Sequence, residues 1–325
     1  MSDLYPGLTL GKATRDAYGE ALEQLGREHA DVIVLDADLA KSTKSYAFSK
    51  AFPDRFTNVG IQEANMVGMA GGLASAGKVP FISSFACFVI LKGFDQLRMA
   101  VAYPKLNVKV CGSHAGVSVG EDGASQQAIE DIGLACSLPG FVVCCPSDEH
   151  VMRAAVKAAY RHDGPVYLRS GRPKVPLVYA GELENFEFGR AHTVREGGDA
   201  TVIATGLMTG AAVVAHDMLA REGISVRVVD MSTIKPLDEE AVRLAAVETG
   251  AIVTAEEHLI HGGLGARVAQ AAARLHPVPM EFVGINDTYA ESGEPDALLR
   301  KYGLTAEDIV AAVRRVLVRR GAVRA

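Results

Sequence analysis

The sequence has 325 residues, of which 49% are apolar and 22% are charged, values that are ordinary for a globular protein of about two domains. Its net charge of -6 argues against a protein that binds nucleic acid or an anionic membrane surface, because phosphate-rich partners would be repelled. The sequence has no uninterrupted apolar run of about 18 residues and no basic, apolar leader, which excludes a membrane-spanning helix and predicts a cytoplasmic protein.

Short apolar, β-branched runs alternate with helical patterns in the first half of the chain. They predict a helix at about residues 14–29 and strands at residues 31–38, 78–84, 107–112, 141–145 and 165–168. Strands separated by helices favour a parallel sheet that is covered by helices on both faces.

The same alternation resumes after a stretch rich in Gly, Pro and acidic residues. It predicts strands at residues 200–204, 225–229, 251–255 and 280–283, and helices at residues 210–222, 238–248, 264–275 and 306–318. We therefore predict a first domain at residues 1–172, a linker at 173–197 and a smaller second domain at 198–325. The expected fold class is α/β, with two doubly wound domains.

The five cysteines are odd in number and show neither Cys-x-x-Cys nor Cys/His metal spacing. We expect free, buried thiols in a reducing compartment, and no metal ligands from this chain. The cysteines are Cys87, Cys111, Cys136, Cys144 and Cys145.

Three segments carry unusual residues. Residues 58–77 (NVGIQEANMVGMAGGLASAG) place Glu63 at the start of a predicted helix, where an acid commonly just complements the helix dipole. Residues 83–96 (SSFACFVILKGFDQ) contain phenylalanines at helical spacing, a pattern that by itself favours core packing. Residues 112–131 (GSHAGVSVGEDGASQQAIED) form a glycine-rich loop after a predicted parallel strand, where α/β sheets bind ligands, but match neither a Rossmann fingerprint nor a P-loop.

Together, and in this order, the three segments resemble the pyrimidine-binding domain of the transketolase family. AEEHLIHGGLG (residues 255–265) and DTYAESG (residues 287–293) resemble markers of that family's C-terminal domain. The resemblance implies an enzyme that uses thiamine diphosphate to transfer a two-carbon ketol unit between sugar phosphates.

The resemblance also implies roles for residues on the cofactor side. Glu63 matches the catalytic glutamate that stabilises the imino tautomer of the cofactor's aminopyrimidine, so we expect it in an apolar pocket. Phe85 and Phe88 match ring-stacking aromatics, Leu91 stands where a third aromatic is often found, and Asp38 matches an acid near the cofactor.

Other residues match the substrate side of the family's site. The residues that correspond to the acceptor-phosphate ligands are Arg15, Ser42, His114 and Arg172, and His114 is also a catalytic candidate. Guanidinium, hydroxyl and imidazole groups suit a phosphate dianion. Asp122 matches an aspartate that binds a substrate hydroxyl. Gln126 replaces a histidine and cannot take a proton at neutral pH, which favours an unusual donor sugar.

The Gly-Asp-Gly segment with which the family holds the cofactor's diphosphate and Mg²⁺ does not occur in this sequence. We therefore expect a partner subunit that carries the diphosphate-binding domain and the metal ligands, as in a split gene. An α2β2 assembly or a homodimer of this chain would place the sites at subunit interfaces.

Three alternatives remain open. The first is the β subunit of a 2-oxoacid dehydrogenase, against which the phosphate-binding set speaks. The second is a deoxyxylulose-phosphate synthase-like enzyme, whose domains usually lie in one chain. The third is a non-catalytic partner subunit that has kept the fold, which an intact Glu63 disfavours.

Overall fold

Two α/β units follow one another in the computed structural model, which describes residues 2–324 and the side chains of residues 3–321. The strands are β1 Leu10–Ala13, β2 Val32–Asp36, β3 Phe56–Asn58, β4 Val79–Phe85, β5 Lys109–Ser113, β6 Val142–Cys144, β7 Val166–Arg169, β8 Lys174–Pro176, β9 His192–Arg195, β10 Ala200–Ala204, β11 Val226–Asp230, β12 Thr233–Lys235, β13 Ile252–Leu259 and β14 Met280–Ile285. The helices are α1 Thr14–Glu28, α2 Ala40–Thr43, α3 Tyr46–Ala51, α4 Glu63–Ser75, α5 Ala86–Leu91, α6 Phe94–Gln96, α7 Asp131–Ser137, α8 Glu149–Arg161, α9 Met208–Ala220, α10 Glu239–Thr249, α11 Leu264–Leu275, α12 Pro295–Lys301 and α13 Ala306–Arg324. A π-helical turn covers Leu97–Ala102, and short 3₁₀ turns cover Ser2–Leu4, Pro53–Arg55 and Val117–Val119.

The first sheet has the strand order β12-β6-β7-β5-β4-β2-β3 and is parallel except at β12. Every residue of the central strand β4 is buried, as expected for a parallel strand with helices on both faces. Apolar residues of α1 and α8 pack on one face, and those of α4, α5 and α7 pack on the other. The carboxyl ends of β2, β4, β5 and β7 therefore meet along one edge.

The second sheet has the order β14-β13-β10-β11-β9, with β9 antiparallel to β11. The segment predicted as a linker contains two short strands, because β9 joins this sheet and β8 pairs with β1. Edge strands of three or four residues depend on pairing more than on an apolar pattern, so these two strands could not be predicted from the apolar pattern.

The second domain contributes to the first. Strand β12 pairs with β6, and Lys235 Nζ donates hydrogen bonds to the carbonyl oxygens of Cys136 and Leu138 at 3.0 and 2.5 Å. The buried guanidinium of Arg169 forms an ion pair with Asp131 (2.8 Å) and also donates to the carbonyl oxygen of Glu257 (2.9 Å). These contacts join the second domain to the β6 and β7 side of the first sheet.

The predicted α/β fold is confirmed. Predicted strands and helices lie within a few residues of the observed ones, except that α13 runs further, to Arg324. All five cysteines are free thiols, and Cys136 is only partly buried. Within residues 2–324, none of the helices combines the length and the apolar character that crossing a membrane requires.

Candidate active site

The candidate site lies along the carboxyl ends of the first sheet. Phe85 ends β4, His114 follows β5, Arg15 is the second residue of α1, and Glu63 is the first residue of α4. Loops at this end of a parallel sheet face outward together, so the fold brings these distant segments to one place.

An acidic corner is formed by Glu63, Ser84, Phe88 and Lys92. The Glu63 side chain is only 1% exposed, and its Oε1 accepts a hydrogen bond from Ser84 Oγ at 3.0 Å. Its Oε2 lies 3.7 Å from Lys92 Nζ, an ammonium on a side chain that is 54% exposed. The same Nζ lies 4.4 Å from the centre of the Phe88 ring. A cation is thus held between a buried carboxyl group and an aromatic face.

Stacked rings connect the acidic corner to the rest of the site. The Phe85 and Phe88 rings are 5.6 Å apart and nearly parallel, and the other neighbour of Phe85 is His114, at 3.9 Å. Both separations fall within or close to the usual range for stacked rings. Leu91 is 47% exposed at the end of α5.

A basic corner is formed by Arg15, Ser42, His114 and Arg172. Arg15 Nη1 donates to the carbonyl oxygen of Ser42 and faces His114 Nε2, both at 3.1 Å. Burial lowers the pKa of the Arg15 guanidinium, and the nearby Arg172 adds to this effect. The guanidinium groups of Arg15 and Arg172 are close enough to repel each other, which is unfavourable unless an anion lies between them.

His114 is neutral and held in one tautomer. Burial, followed by Arg15, Arg172 and Lys44, lowers its pKa to about 3. Because a guanidinium only donates, Nε2 must accept from Arg15, and Nδ1 must therefore carry the proton and donate to Ser113 Oγ at 2.8 Å. The residue has a left-handed φ of 57°, and its ring stacks on that of Phe85.

The buried Arg15 Nε is a further donor of the basic corner. Arg15 Nε is buried and makes no hydrogen bond within the described part of the chain. A buried donor left unsatisfied is costly, and an oxyanion would satisfy it. The corner is therefore suited to a phosphate or a similar group.

The glycine loop, residues 115–127, carries the remaining substrate candidates. Asp122 is exposed and Gln126 is partly buried, with its side-chain carbonyl oxygen accepting from Ser125 Oγ. Arg172 reaches the loop from beyond β7, where its Nη1 donates to the carbonyl oxygen of Val119 (2.5 Å) and to Glu121 Oε2 (2.7 Å).

Asp38 and Ser42 lie on the turn after β2. Asp38 has a left-handed φ of 66° and accepts a hydrogen bond from Asn58 Nδ2 at 2.9 Å. Asp36, whose pKa is raised by burial, holds the turn by accepting from Leu39 N, Thr43 Oγ1 and Ser45 Oγ. Ser42 lies on this turn and contacts Arg15 through the backbone carbonyl oxygen of Ser42.

Sequence reasoning missed the immediate partners of the two corners: Ser84, Lys92 and Ser113. Lys92 follows Phe88 by four positions, the spacing at which helical side chains meet, so a signal for it was present. No comparable signal exists for Ser84, because its contact with Glu63 joins residues 21 positions apart. Among residues 2–324, no group of three or more His, Cys, Asp or Glu side chains could hold a metal ion.

Comparisons with known proteins agree with this architecture. Residues 11–178 match the transketolase pyrimidine-binding domain, and residues 189–309 match the transketolase C-terminal domain. A putative transketolase C-terminal section from Methanocaldococcus jannaschii is 43% identical, over 95% of this chain and 96% of the relative. A 6-deoxy-6-sulfo-D-fructose transketolase subunit from a Clostridium species is 41% identical, over 94% and 95%.

A solved structure gives the same result. A split-gene transketolase, described as an inactive β4 tetramer, superposes with a TM-score of 0.89 and 50% identity, covering 95% of this chain and 99% of that chain. These matches confirm the resemblance found in the sequence. The chain therefore belongs to the transketolase family, of which it comprises the pyrimidine-binding and C-terminal domains.

Proposed function

We propose that this chain is one subunit of a thiamine-diphosphate-dependent transketolase that transfers a two-carbon ketol unit between sugar phosphates. The observation that carries the proposal is the buried carboxyl group of Glu63, joined through stacked rings to a cluster of cations. An acid beside an aromatic face suits an aminopyrimidine, and the cations suit the phosphate of a sugar.

The acidic corner fits the cofactor of this family. Lys92 Nζ already lies between the Glu63 carboxyl group and the Phe88 ring, so this place accepts a group that hydrogen-bonds to the acid and covers the ring. Glu63 and Phe88 would hold the aminopyrimidine there. When bound, thiamine diphosphate supplies a thiazolium carbon that becomes a nucleophile once it loses a proton.

Glu63 would hold a proton at its carboxyl group beside the ring. Its burial excludes water, and the hydrogen bond from Ser84 Oγ fixes Oε1 so that the group keeps one orientation. A positioned acid or base of this kind typically contributes about 10²–10⁴-fold to a rate.

The basic corner would bind the phosphate of the sugar. Arg15 offers the buried Nε, Arg172 offers a second guanidinium, and neutral His114 holds Arg15 in place through Nε2. Asp122 would accept a hydrogen bond from a substrate hydroxyl, and Gln126 would contact the donor sugar without exchanging a proton.

A second subunit would carry the diphosphate-binding domain and the Mg²⁺ ligands. Support comes from relatives that are described as a C-terminal section and as a subunit, each about the length of this chain. The solved relative that is described as inactive is an assembly of β chains alone. An α2β2 complex is the arrangement we favour.

The test is to combine this chain with a subunit from the same genome that contains a Gly-Asp-Gly segment. Xylulose 5-phosphate and ribose 5-phosphate, each with its unphosphorylated counterpart, form the first substrate panel. We expect ketol transfer that requires thiamine diphosphate and both subunits. Glu63→Gln should lower kcat at least about 100-fold. Glu240→Gln, an exposed carboxylate paired with Arg243, serves as the matched control and should have no effect.

Two outcomes would contradict the proposal. A kcat of Glu63→Gln equal to that of the wild type would show that Glu63 is not a catalytic residue. Decarboxylation of a 2-oxoacid without ketol transfer would instead identify a dehydrogenase subunit, although such a substrate offers no phosphate to the basic corner.

A further inference from the structure

The glycine loop, residues 115–127, is held partly by the second domain. Apart from the 3₁₀ turn Val117–Val119 it has no regular structure, and Glu121, Asp122, Ala124 and Ser125 are exposed. Yet Gln127, at the end of the loop, is only 3% exposed. Glutamine is rarely buried this deeply unless its amide is hydrogen-bonded.

The Gln127 amide joins the loop to the second domain. Its Nε2 lies 3.3 Å from the carbonyl oxygens of both Val117 and Gly120, which belong to the loop, and 3.0 Å from that of Glu291, which lies 164 positions away in the second domain. A flipped amide would place its oxygen against the same three carbonyl oxygens, so the neighbours fix its orientation.

Two glycines of the loop show that the second domain packs directly on its backbone. Gly116 has a left-handed φ of 84°, and a Cβ there would overlap the Glu257 carboxyl group. The same carboxyl group accepts a hydrogen bond from Ser118 N at 2.6 Å. Gly123 has a φ of 78°, and a Cβ there would overlap Ser292 Oγ. Substitution at either position would therefore push the loop away from the second domain.

The loop in turn positions the groups assigned to the substrate. Asp122 lies within it, and Arg172 is held by the carbonyl oxygen of Val119 and by Glu121. A shift of the loop would move both side chains together, whereas Glu63 lies on α4 and would stay in place.

We infer that Gln127 is a positioning residue through which the second domain, at Glu291, sets the geometry of the substrate side of the site. The inference rests on the proposed function for the roles of Asp122 and Arg172. The tie between Gln127 and the second domain is independent of that function. The C-terminal domain is thus a determinant of affinity for the sugar phosphate, although none of its side chains needs to touch the sugar.

The experiment compares Gln127→Met, which keeps the volume and removes the amide, with the wild-type chain. Gln127→Ala is the second variant if the methionine does not fit. Gln24→Ala, which removes an exposed amide that donates to Glu28, is the matched control. Hydrogen exchange of the full chain is measured without substrate, and KM and kcat are then measured with the partner subunit and ribose 5-phosphate.

We expect amide exchange in residues 116–124 to rise about tenfold in Gln127→Met, while the strands of both domains keep their protection. KM for ribose 5-phosphate should rise by up to about tenfold and kcat should change less than twofold, because only groups that bind the sugar have moved.

Unchanged exchange in the loop would overturn the inference, and so would faster exchange throughout the second domain, which would indicate a general structural role. An unchanged KM with a mobile loop would also overturn it. If the proposed function is wrong, the wild-type complex will show no ketol transfer. The hydrogen-exchange data would still decide whether Gln127 joins the loop to the second domain.

Discussion

The two corners of the site are built in different ways. The acidic corner uses residues from one continuous segment, 63–92, in which α4 and the end of β4 lie side by side. The basic corner gathers Arg15, Ser42, His114 and Arg172 from four segments of the chain. The first is a local arrangement, whereas the second depends on the whole first domain and on a loop held by the second domain.

This difference indicates where each function can vary. Glu63 must keep the same position whichever substrate is bound, and the acidic corner holds it there through residues of one segment. Substrate recognition rests on loops, which tolerate change better than the strands that carry them. We therefore expect changes in the basic corner to alter affinity and leave the chemistry of the acidic corner intact.

The largest effect expected from breaking the basic corner comes from Arg15→Met. It should raise KM for a phosphorylated acceptor by about 10- to 100-fold, because a hydrogen bond to a charged group is worth about 1.5–3 kcal/mol. KM for the unphosphorylated acceptor should not change. Arg27→Met, on the exposed face of the same helix and paired with Glu23, is the control. An equal rise for both acceptors would show that Arg15 supports the fold and not the phosphate.

A second effect concerns stability against pH. In the folded chain the pKa of His114 is lowered to about 3 from the ordinary value of 6.5. As pH falls below 6.5 the unfolded chain gains a proton that the folded chain does not, so stability is lost between pH 6.5 and pH 3. Between pH 7 and pH 5 the wild type should lose about 2 kcal/mol more than His114→Asn.

Asparagine suits this comparison because it tolerates the left-handed backbone of residue 114. Urea unfolding at the two pH values gives the difference directly, and it cancels the contributions of the other histidines. An identical pH dependence in both proteins would mean that His114 becomes protonated in the folded chain, and the basic corner would then carry another positive charge.

The smallest effect should follow from Lys92→Met in the acidic corner. Lys92 is half exposed and its ion pair with Glu63 spans 3.7 Å, a kind of contact worth at most about 1 kcal/mol. Because Lys92 covers the Phe88 ring, its removal should tighten thiamine diphosphate binding by the complex up to about fivefold. Lys50→Met, which removes an ammonium near the Tyr46 ring, should change nothing. Weaker cofactor binding in Lys92→Met would show that the lysine assists the cofactor.

Much of the fold could be predicted from the sequence because its core strands are long apolar runs separated by strong helical patterns. Strand β2 shows this well, since burial on both faces favours a nearly continuous apolar run such as Val32–Leu35. Strand β12 could not be predicted, because three residues carry no periodicity and their partner, β6, lies about 90 positions earlier.

The candidate site divides in the same way. Glu63 and His114 stand in recognisable segments, so their positions could be named. Most of the contacts that fix them could not, because they depend on the folded chain: Ser84 lies 21 positions from Glu63, and Arg15 lies 99 positions from His114. Ser113 sets the tautomer of His114 only once Arg15 is in place, and Gln127 is informative only beside Glu291. The cytoplasmic location and the roles of the site residues stay predictions.

The pairing of β12 with β6 has a consequence for how such proteins can recombine. The boundary between the two domains in sequence is not their boundary in space, since Thr233–Lys235 completes the first sheet beside Val142–Cys144. Consider a chimera that takes its first domain from one relative and its second domain from another. Its first sheet would then pair β6 of one relative with β12 of the other. The two sequences would have to be compatible where Thr233 faces Cys144 and where Lys235 faces Val143.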